Sequence, residues 1–143
     1  MVQNWVKRGF LSSPIDKKYD KNQFCRIITI NMLKDVLPLS SIAQSISYIN
    51  GVLDDKDDDL IDDSELYLYF VDTVFELNGK GHEQCENAVK NVLKKYDGPL
   101  NSIRVRLGKV LTIFVYAYYS ATLRHEAMIK ISQLDILERR NEQ

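Results

Sequence analysis

The sequence predicts an all-α protein, and three features of it carry that prediction. Apolar residues recur at three- and four-residue spacings along most of the 143 residues, which is the period of an amphipathic helix. The alternation of apolar and polar residues that marks a strand is essentially absent. Turn residues such as Asn78-Gly79 and Asp97-Gly98-Pro99 separate the periodic segments, as breakers between helices do.

The first predicted helix is short. It spans Val2 to Arg8 and ends at Gly9, a glycine that is expected to adopt a positive φ. Residues 9–19 follow, with turn residues between two apolar ends and with the adjacent lysines Lys17 and Lys18. This arrangement favours a small basic hairpin, and an ordinary loop with a solvated lysine pair is the alternative.

Two longer helices are predicted next. The first runs from Asn22 to about Leu37, since Asp20 is a suitable N-cap and Pro38 ends the run. Its apolar face is expected to hold Phe24, Ile27, Ile28, Ile30, Leu33 and Val36 or Leu37. The other begins at Leu39 with Ser40 as its N-cap. Its core face is expected to hold Ile42, Ile46, Ile49 and Leu53.

The C-terminal part predicts three more helices. Their expected ranges are Asp63 or Ser64 to Leu77, His82 to Tyr96, and Leu100 to about Leu137. One stripe of the last helix is formed by Ile103, Leu107, Val110, Phe114, Ala117, Ala121, Met128 and Ile131, and a second face by Ile113, Val115, Tyr116, Tyr118 and Tyr119. A helix that is apolar on nearly all sides must be covered on nearly all sides. The preceding helices can cover part of it in a small bundle, so we expect a second copy, in a homodimer, to cover the rest.

Charge is distributed unevenly along a chain whose net charge is only −1. Residues 1–34 carry seven basic and two acidic residues, whereas residues 35–65 carry nine acidic residues and one lysine. Because closely spaced carboxylates repel one another and stay solvated, the acidic stretch is the natural boundary. The prediction is a module over residues 1–53, an acidic linker or loop over 54–63, and a helical bundle over 64–143.

Composition and motifs exclude several classes of protein. The N-terminus has no secretory signal, the longest apolar stretch is too short for a membrane helix, and two cysteines are too few for a disulfide framework. We therefore expect a soluble cytoplasmic protein without membrane association. No phosphate-binding loop, nucleophile elbow, zinc-protease motif or dinucleotide fingerprint is present, so we expect neither an enzyme nor a bound cofactor.

Two metal-binding patterns also fail on inspection. Asp55, Asp57 and Asp59 match the first ligands of a calcium-binding EF-hand loop, but Leu60 stands where that loop requires glycine. His82 and Cys85 lie three residues apart, but the paired close spacings typical of a zinc site are missing. No metal site is predicted.

The N-terminal 50 residues resemble a MerR-type regulator. The resemblance is carried by the order Trp5-x-x-x-Gly9-Phe10-Leu11-x-x-Pro14, then Lys17-Lys18-Tyr19-Asp20, then a helix followed by Leu39-Ser40-Ser41-Ile42. The spacing and the long helical tail are also similar to the bacterial family called domain of unknown function 1836, over an expected range to about residue 133. The resemblance implies a winged helix-turn-helix module that binds double-stranded DNA, dimerises through helical C-terminal parts and regulates transcription.

The resemblance also implies individual DNA contacts. Gln3 falls on a recognition-helix position that is often basic, Trp5 on an aromatic position near the DNA backbone, and Lys7 on the basic position at the helix end. Lys17 falls on the wing position usually held by arginine, so it keeps the charge and loses the bidentate geometry. Arg8, Lys18 and Lys21 add cations to the same region. For Trp5 the alternative is packing in the core against Tyr19 and Phe24.

One departure from the MerR pattern weakens the DNA-binding prediction. A MerR-like domain needs a first helix and a turn before its recognition helix, whereas this sequence begins at Met1 inside that helix. Two functions therefore stay open: a dimeric DNA-binding regulator, or a helical protein-interaction module that has lost DNA binding. Five tyrosines leave a similar choice between core packing and an effector pocket, namely Tyr67, Tyr69, Tyr116, Tyr118 and Tyr119.

Overall fold

The structure is a computed structural model that describes residues 1–51, 61–98 and 101–142, without the side chains of 135–138. Six α-helices lie in these residues: α1 (Val2–Lys7), α2 (Lys21–Leu33), α3 (Leu39–Asn50), α4 (Asp63–Leu77), α5 (Cys85–Leu93) and α6 (Asn101–Asn141). Over the described ranges the extended backbone pairs only at an isolated antiparallel bridge between Ile15 and Lys18. The all-α prediction is confirmed. No helix in the described ranges has the length and apolar character needed to cross a bilayer.

Several predicted helix ends are confirmed by the capping geometry. Gly9 has φ +77°, and the bonds from Gly9 N to Val6 O and from Phe10 N to Trp5 O form a Schellman motif after α1. Asp20 caps α2 as predicted. Asn78 ends α4 in the left-handed conformation, with φ 44°.

Other predicted boundaries are wrong by a few residues. The N-cap of α3 is Pro38 rather than Ser40, and that of α4 is Asp62 rather than Asp63 or Ser64. The helix predicted over 82–96 is a 3₁₀ turn, His82–Gln84, followed by the shorter α5. Tyr96, beyond the end of α5, is buried and packs against Tyr69.

The predicted core face of α2 is partly wrong. Phe24 is 58% exposed, whereas its polar neighbour Gln23 is buried, and so is the polar Thr29, on the side that faces the other helices. Thr29 is accommodated there because its hydroxyl donates a hydrogen bond to Cys25 O at 2.9 Å.

One hydrophobic core joins the two predicted modules. It extends from Trp5 and Leu11 through α2, α3 and α4 to Ala117 of α6, and α2 packs against both α4 and α6. Residues 54–60 of the predicted linker, including the three aspartates of the rejected EF-hand pattern, lie outside the described residues. Ile61, in contrast, is buried and donates its backbone N–H to Asn50 Oδ1 at 3.3 Å.

Helix α6 is the helix around which α2 to α5 pack. Its N-terminal part contributes buried residues as far as Ala117, with Phe114 packed against Phe70 at a ring separation of 5.4 Å. Beyond residue 121 the described side chains are exposed, including Met128 at 59% and Ile131 at 53%. The apolar stripe predicted along the whole helix is therefore buried by this chain only in its first half.

Candidate nucleic-acid interface

The predicted basic hairpin exists as a two-residue turn. Ile15 and Lys18 exchange backbone hydrogen bonds of 3.0 and 2.9 Å, and the residues between them, Asp16 and Lys17, have φ angles of 51° and 62°. Positive φ at both central positions defines the type I′ turn, whose twist suits a tight hairpin. The side chains of Lys17 and Lys18 at this turn are exposed.

Gln23 binds the residues on both sides of the turn and so anchors it at the start of α2. Its side-chain amide donates to Ser12 Oγ at 2.9 Å and Ser13 O at 3.0 Å, with Ser12 O a third acceptor at 3.3 Å. Its Oε1 accepts from the backbone N–H of Asp20 at 2.8 Å, while the Asp20 carboxylate accepts from Gln23 N at 2.8 Å. This capping box and the loop contacts use one buried side chain, so the turn and the helix start hold each other in place.

Arg26 anchors the segment that precedes the turn. It lies one helical turn after Gln23, and its Nη1 approaches Phe10 O at 3.5 Å. Its Nε and Nη2 bind the carboxylate of Asp63 on α4. The segment between α1 and the turn is thus attached to the first two turns of α2 at Phe10, Ser12 and Ser13.

Five cations remain exposed in this region. Lys7 and Arg8 lie at the end of α1, Lys17 and Lys18 at the turn, and Lys21 at the start of α2. None of the five forms an ion pair with a carboxylate within the described ranges. Arg8 stacks its guanidinium over the Phe10 ring, 4.8 Å from the centroid, which holds its charge near the surface.

Of the other two predicted contact residues, Gln3 is exposed and Trp5 is not. Trp5 is 2% exposed and packs in the core with partly buried neighbours that include Phe10 and Tyr19. This burial favours the packing alternative for Trp5, although its predicted neighbour Phe24 faces solvent. The indole cannot approach a DNA backbone while it occupies this position.

Sequence reasoning missed Gln23 and Arg26, the two residues that position the turn. A signal for Gln23 was present, because a cap residue followed three positions later by Glu or Gln is the capping-box pattern. Arg26 had no comparable signal, since its partner Asp63 is 37 residues away in sequence.

Three of the five candidate tyrosines pack against hydrophobic clusters, and the candidate metal ligands His82 and Cys85 lie in different surroundings. Tyr69 and Tyr118 pack against the main core, and Tyr119 packs against a smaller cluster around Cys85. Tyr116 is 40% exposed. One large groove lies between α3 and α6 and another between α5 and α6, and none of the five candidate tyrosines lines either of them. His82 is exposed while Cys85 is buried, so the two side chains face different environments.

No curated protein and no solved structure matches the chain. The match to a protein-family model ends within α4, well short of the expected limit near residue 133, and leaves α5 and α6 outside it. Residues 1–70, which include the basic turn and its two anchoring residues, match the model of the family described as Domain of unknown function (DUF1836).

Proposed function

We propose that this chain is a MerR-like transcriptional regulator that acts as a homodimer and contacts the backbone of double-stranded DNA through its N-terminal cations. The observation that carries the proposal is the anchored type I′ turn, which presents Lys17 and Lys18 without a carboxylate partner within the described ranges. A turn held in one conformation keeps the backbone of both lysines in a fixed place, which lowers the entropic cost of bringing their charges to a polyanion.

The surrounding charges support contact with phosphates. Residues 1–21 carry five exposed basic side chains, and of their two aspartates Asp20 is already engaged as the cap of α2. Lysine and arginine supply most of the sequence-independent affinity of proteins for DNA. Gln3 is exposed on α1, and its amide, like that of the exposed neighbour Asn4, suits the edge of an adenine.

The position of Lys21 favours a role in binding over a role in folding. It occupies the first position of α2, and the first turn of this helix contains no acidic residue. A cation at a helix N-terminus is unfavourable by about 0.3–1 kcal/mol because it opposes the helix dipole. A basic residue there is therefore costly to the fold, whereas it adds to the charge beside the turn.

Salt-dependent binding to duplex DNA tests the proposal directly. We expect the protein to shift the fluorescence anisotropy of a labelled duplex, with affinity falling steeply as salt rises. If about three to five phosphates are neutralised, the slope of log K against log salt is roughly −2.7 to −4.5. The double variant K17E/K18E should lose most of the affinity and flatten that slope.

A matched control uses another lysine pair. Lys94 and Lys95 follow α5 and are also adjacent and exposed, so K94E/K95E changes the net charge by the same amount away from the turn. This control should bind DNA nearly as the unaltered chain does. Equal losses in both double variants would indicate a non-specific charge effect and reject the interface.

The alternative function is a helical protein-interaction module without DNA binding. It is favoured by the large exposed apolar surface of α6, which a DNA contact does not explain. Under this alternative the unaltered chain is not retained on duplex DNA even at low salt. The double variant K17E/K18E then gives the same result as the unaltered chain.

A further inference from the structure

A groove of about 710 Å³ lies between α5 and α6, and part of its lining is apolar. The apolar lining residues are Val89, Leu93, Val105 and Ile113. Val105 and Ile113 remain 50% and 44% exposed. Gly108 also lines the groove, and a Cβ added there would stand 3.1 Å from Leu93 Cδ1, so this glycine lets the two helices approach closely. The volume falls in the range of small-molecule sites.

The rest of the lining is polar and mostly cationic. Lys90 of α5 and Arg104 and Lys109 of α6 line the groove. None of the three forms an ion pair with a carboxylate in the part of the chain that the structure describes. Glu86 is the one acidic residue among the described lining residues, so three cations stand against one carboxylate. The excess of positive charge favours an anionic ligand.

Arg104 is held in place at one end of the groove. Its Nη2 donates to Tyr96 O at 2.8 Å, and its guanidinium carbon lies 5.9 Å from the centroid of the Tyr96 ring. A guanidinium has five N–H donors, and the bond to Tyr96 uses one of them. Two others can bind both oxygens of one carboxylate in the parallel geometry that makes this pairing strong.

The directions of the two helices set the orientation of an anionic ligand. Leu93 lies beside Gly108, and Tyr96 beside Arg104, so α5 and α6 run antiparallel along the groove. Glu86, near the start of α5, therefore lies at the end of the groove away from Arg104. Because its carboxylate repels an anion there, the charged head of the ligand belongs at the Arg104 end.

Lys109 adds a second cation to the Arg104 end. It lies five residues after Arg104 on α6, and side chains of a helix lean toward its N-terminus, which directs the Lys109 stem toward Arg104. The remaining length of the groove, toward Ile113, is left for the uncharged part of the ligand.

The size and lining of the groove indicate an aliphatic chain as that uncharged part. From Arg104 to Ile113 the helix rises about 13 Å, roughly the length of an extended ten-carbon carboxylate. Among the described lining residues none is aromatic, so the groove offers no ring on which a planar ligand would stack. A specific protein partner needs about 800 Å² on each side, several times what a groove about 13 Å long and one helix wide provides.

We propose that the groove between α5 and α6 binds an aliphatic carboxylate of about ten carbons, with its carboxylate on Arg104 and Lys109 and its chain extending toward Ile113. This site goes beyond the proposed function. It uses none of the residues proposed to contact DNA, so the two proposals succeed or fail independently.

Isothermal titration calorimetry with three soluble probes tests the ligand class. Decanoate supplies both the charge and the chain, butyrate supplies the charge with a short chain, and decyltrimethylammonium supplies the same chain with the opposite charge. We expect saturable binding of decanoate and binding of decyltrimethylammonium at least about tenfold weaker. Butyrate should show no detectable binding, because each buried methylene contributes about fourfold in affinity. Absence of saturable decanoate binding, or equal binding of decyltrimethylammonium, would reject the proposal.

Arg104 and Arg106 provide a matched pair of substitutions. Arg106 stacks over the Tyr48 ring at 5.4 Å, much as Arg104 stacks over Tyr96, but it does not line this groove. R104Q should weaken decanoate binding at least about tenfold, because it removes the bidentate partner of the carboxylate. R106Q should leave the affinity within about twofold. Equal losses would show that the net charge of the chain attracts the probe, which would reject the groove as the site.

Val105 offers a test that leaves the bond between Arg104 and Tyr96 in place. Its side chain is half exposed in the groove, so V105E and V105Q introduce side chains of equal size without entering the buried core. V105E should abolish detectable decanoate binding, because its carboxylate repels the probe and competes for Arg104. V105Q should weaken binding only several-fold. Equal affinities of the two variants would overturn the placement of the carboxylate at the Arg104 end.

Nuclear magnetic resonance of isotopically labelled protein locates the bound probe. The backbone amide signal of Gly108 should shift with added decanoate along the same isotherm that calorimetry gives. The signals of Lys17 and Lys18 at the basic turn should stay in place. Shifts confined to the basic turn would put decanoate on the surface proposed for DNA and reject the groove site, without bearing on DNA binding itself.

Discussion

Arg26 and Asp63 form an ion pair with two hydrogen bonds, from Nε to Oδ2 at 2.8 Å and from Nη2 to Oδ1 at 3.2 Å, which joins α2 to α4. Their side chains are only 10% and 17% exposed. The same guanidinium reaches Phe10 O, so one residue connects the segment before the basic turn with two helices of the core. Arg26 is thereby neutralised, and it does not belong to the exposed cations proposed to bind DNA.

Removing either partner of this pair should destabilise the fold strongly. R26A leaves the Asp63 carboxylate in a largely buried position without its cation, and D63A does the reverse. Because breaking a buried pair leaves an uncompensated charge, we expect each substitution to lower the free energy of unfolding by about 3 kcal/mol. Urea unfolding measures this, and the double variant should cost clearly less than the two single losses together. Additive losses would show that the two side chains do not interact.

Gln23 should affect DNA binding although it carries no charge. Q23E keeps an acceptor for the Asp20 N–H, so the capping box survives, but it removes the amide that donates to Ser12 and Ser13. We expect the turn to lose its fixed position and DNA affinity to fall several-fold. The measurement is anisotropy titration at one salt concentration.

The control for Q23E must separate the lost anchor from the added negative charge. Gln44 on α3 is exposed and distant in sequence from the turn, so Q44E adds the same charge elsewhere. Equal affinities of Q23E and Q44E would contradict the anchoring role. The uncharged Q23A loses the anchor and one of the two hydrogen bonds of the capping box, so its DNA affinity should also fall several-fold.

The elements that the sequence predicted well are those with local signals. Gly9, Asp20 and Asn78 end or begin helices through bonds to residues a few positions away, and residues of this kind are recognisable in the sequence. The basic turn between Gly9 and Tyr19 was likewise visible from its turn residues and lysines.

The features that the sequence did not predict depend on distant partners. Phe24 sits at a helical spacing that suits a core, yet α2 turns Gln23 inward, where its amide finds Ser12 and Ser13 as acceptors. The ion pair of Arg26 has the same origin. The burial of α6 in only its first half also could not be derived from its apolar pattern, since that pattern does not specify which part neighbouring helices will cover.

Lys21 should show a trade-off between stability and DNA binding. In K21E a carboxylate replaces a cation at the first position of α2, where the helix dipole favours negative charge. We expect the free energy of unfolding to rise by about 0.5–1 kcal/mol, measured by urea unfolding, while DNA affinity falls. K21Q should give about half of each effect. Unchanged DNA affinity in K21E would remove Lys21 from the interface without affecting the stability argument.

Alkaline pH should destabilise the protein through groups buried in the bundle. Burial, and secondarily the nearby Glu83, raises the pKa of the Cys85 thiol above its ordinary value of 9.0. Burial, followed by the charge of nearby Glu65, likewise raises the pKa of Tyr96 above 10.0. Well below pH 9 these groups are protonated in both folded and unfolded chains, so they add no pH dependence there. As pH rises further, the unfolded chain releases protons that the folded chain retains, and stability falls by at most about 1.4 kcal/mol per pH unit for each group.

The variant C85A isolates the contribution of the thiol to this alkaline loss. It should be less stable than the unaltered chain at pH 8, because a fully buried side chain loses packing atoms. Between pH 9 and 10.5, however, its free energy of unfolding should fall less steeply, since one of the titrating groups is gone. Lysines titrate in the same range in both proteins, so the difference between the two urea-unfolding series removes their effect. Parallel pH profiles would mean that Cys85 ionises equally in the folded and unfolded chain.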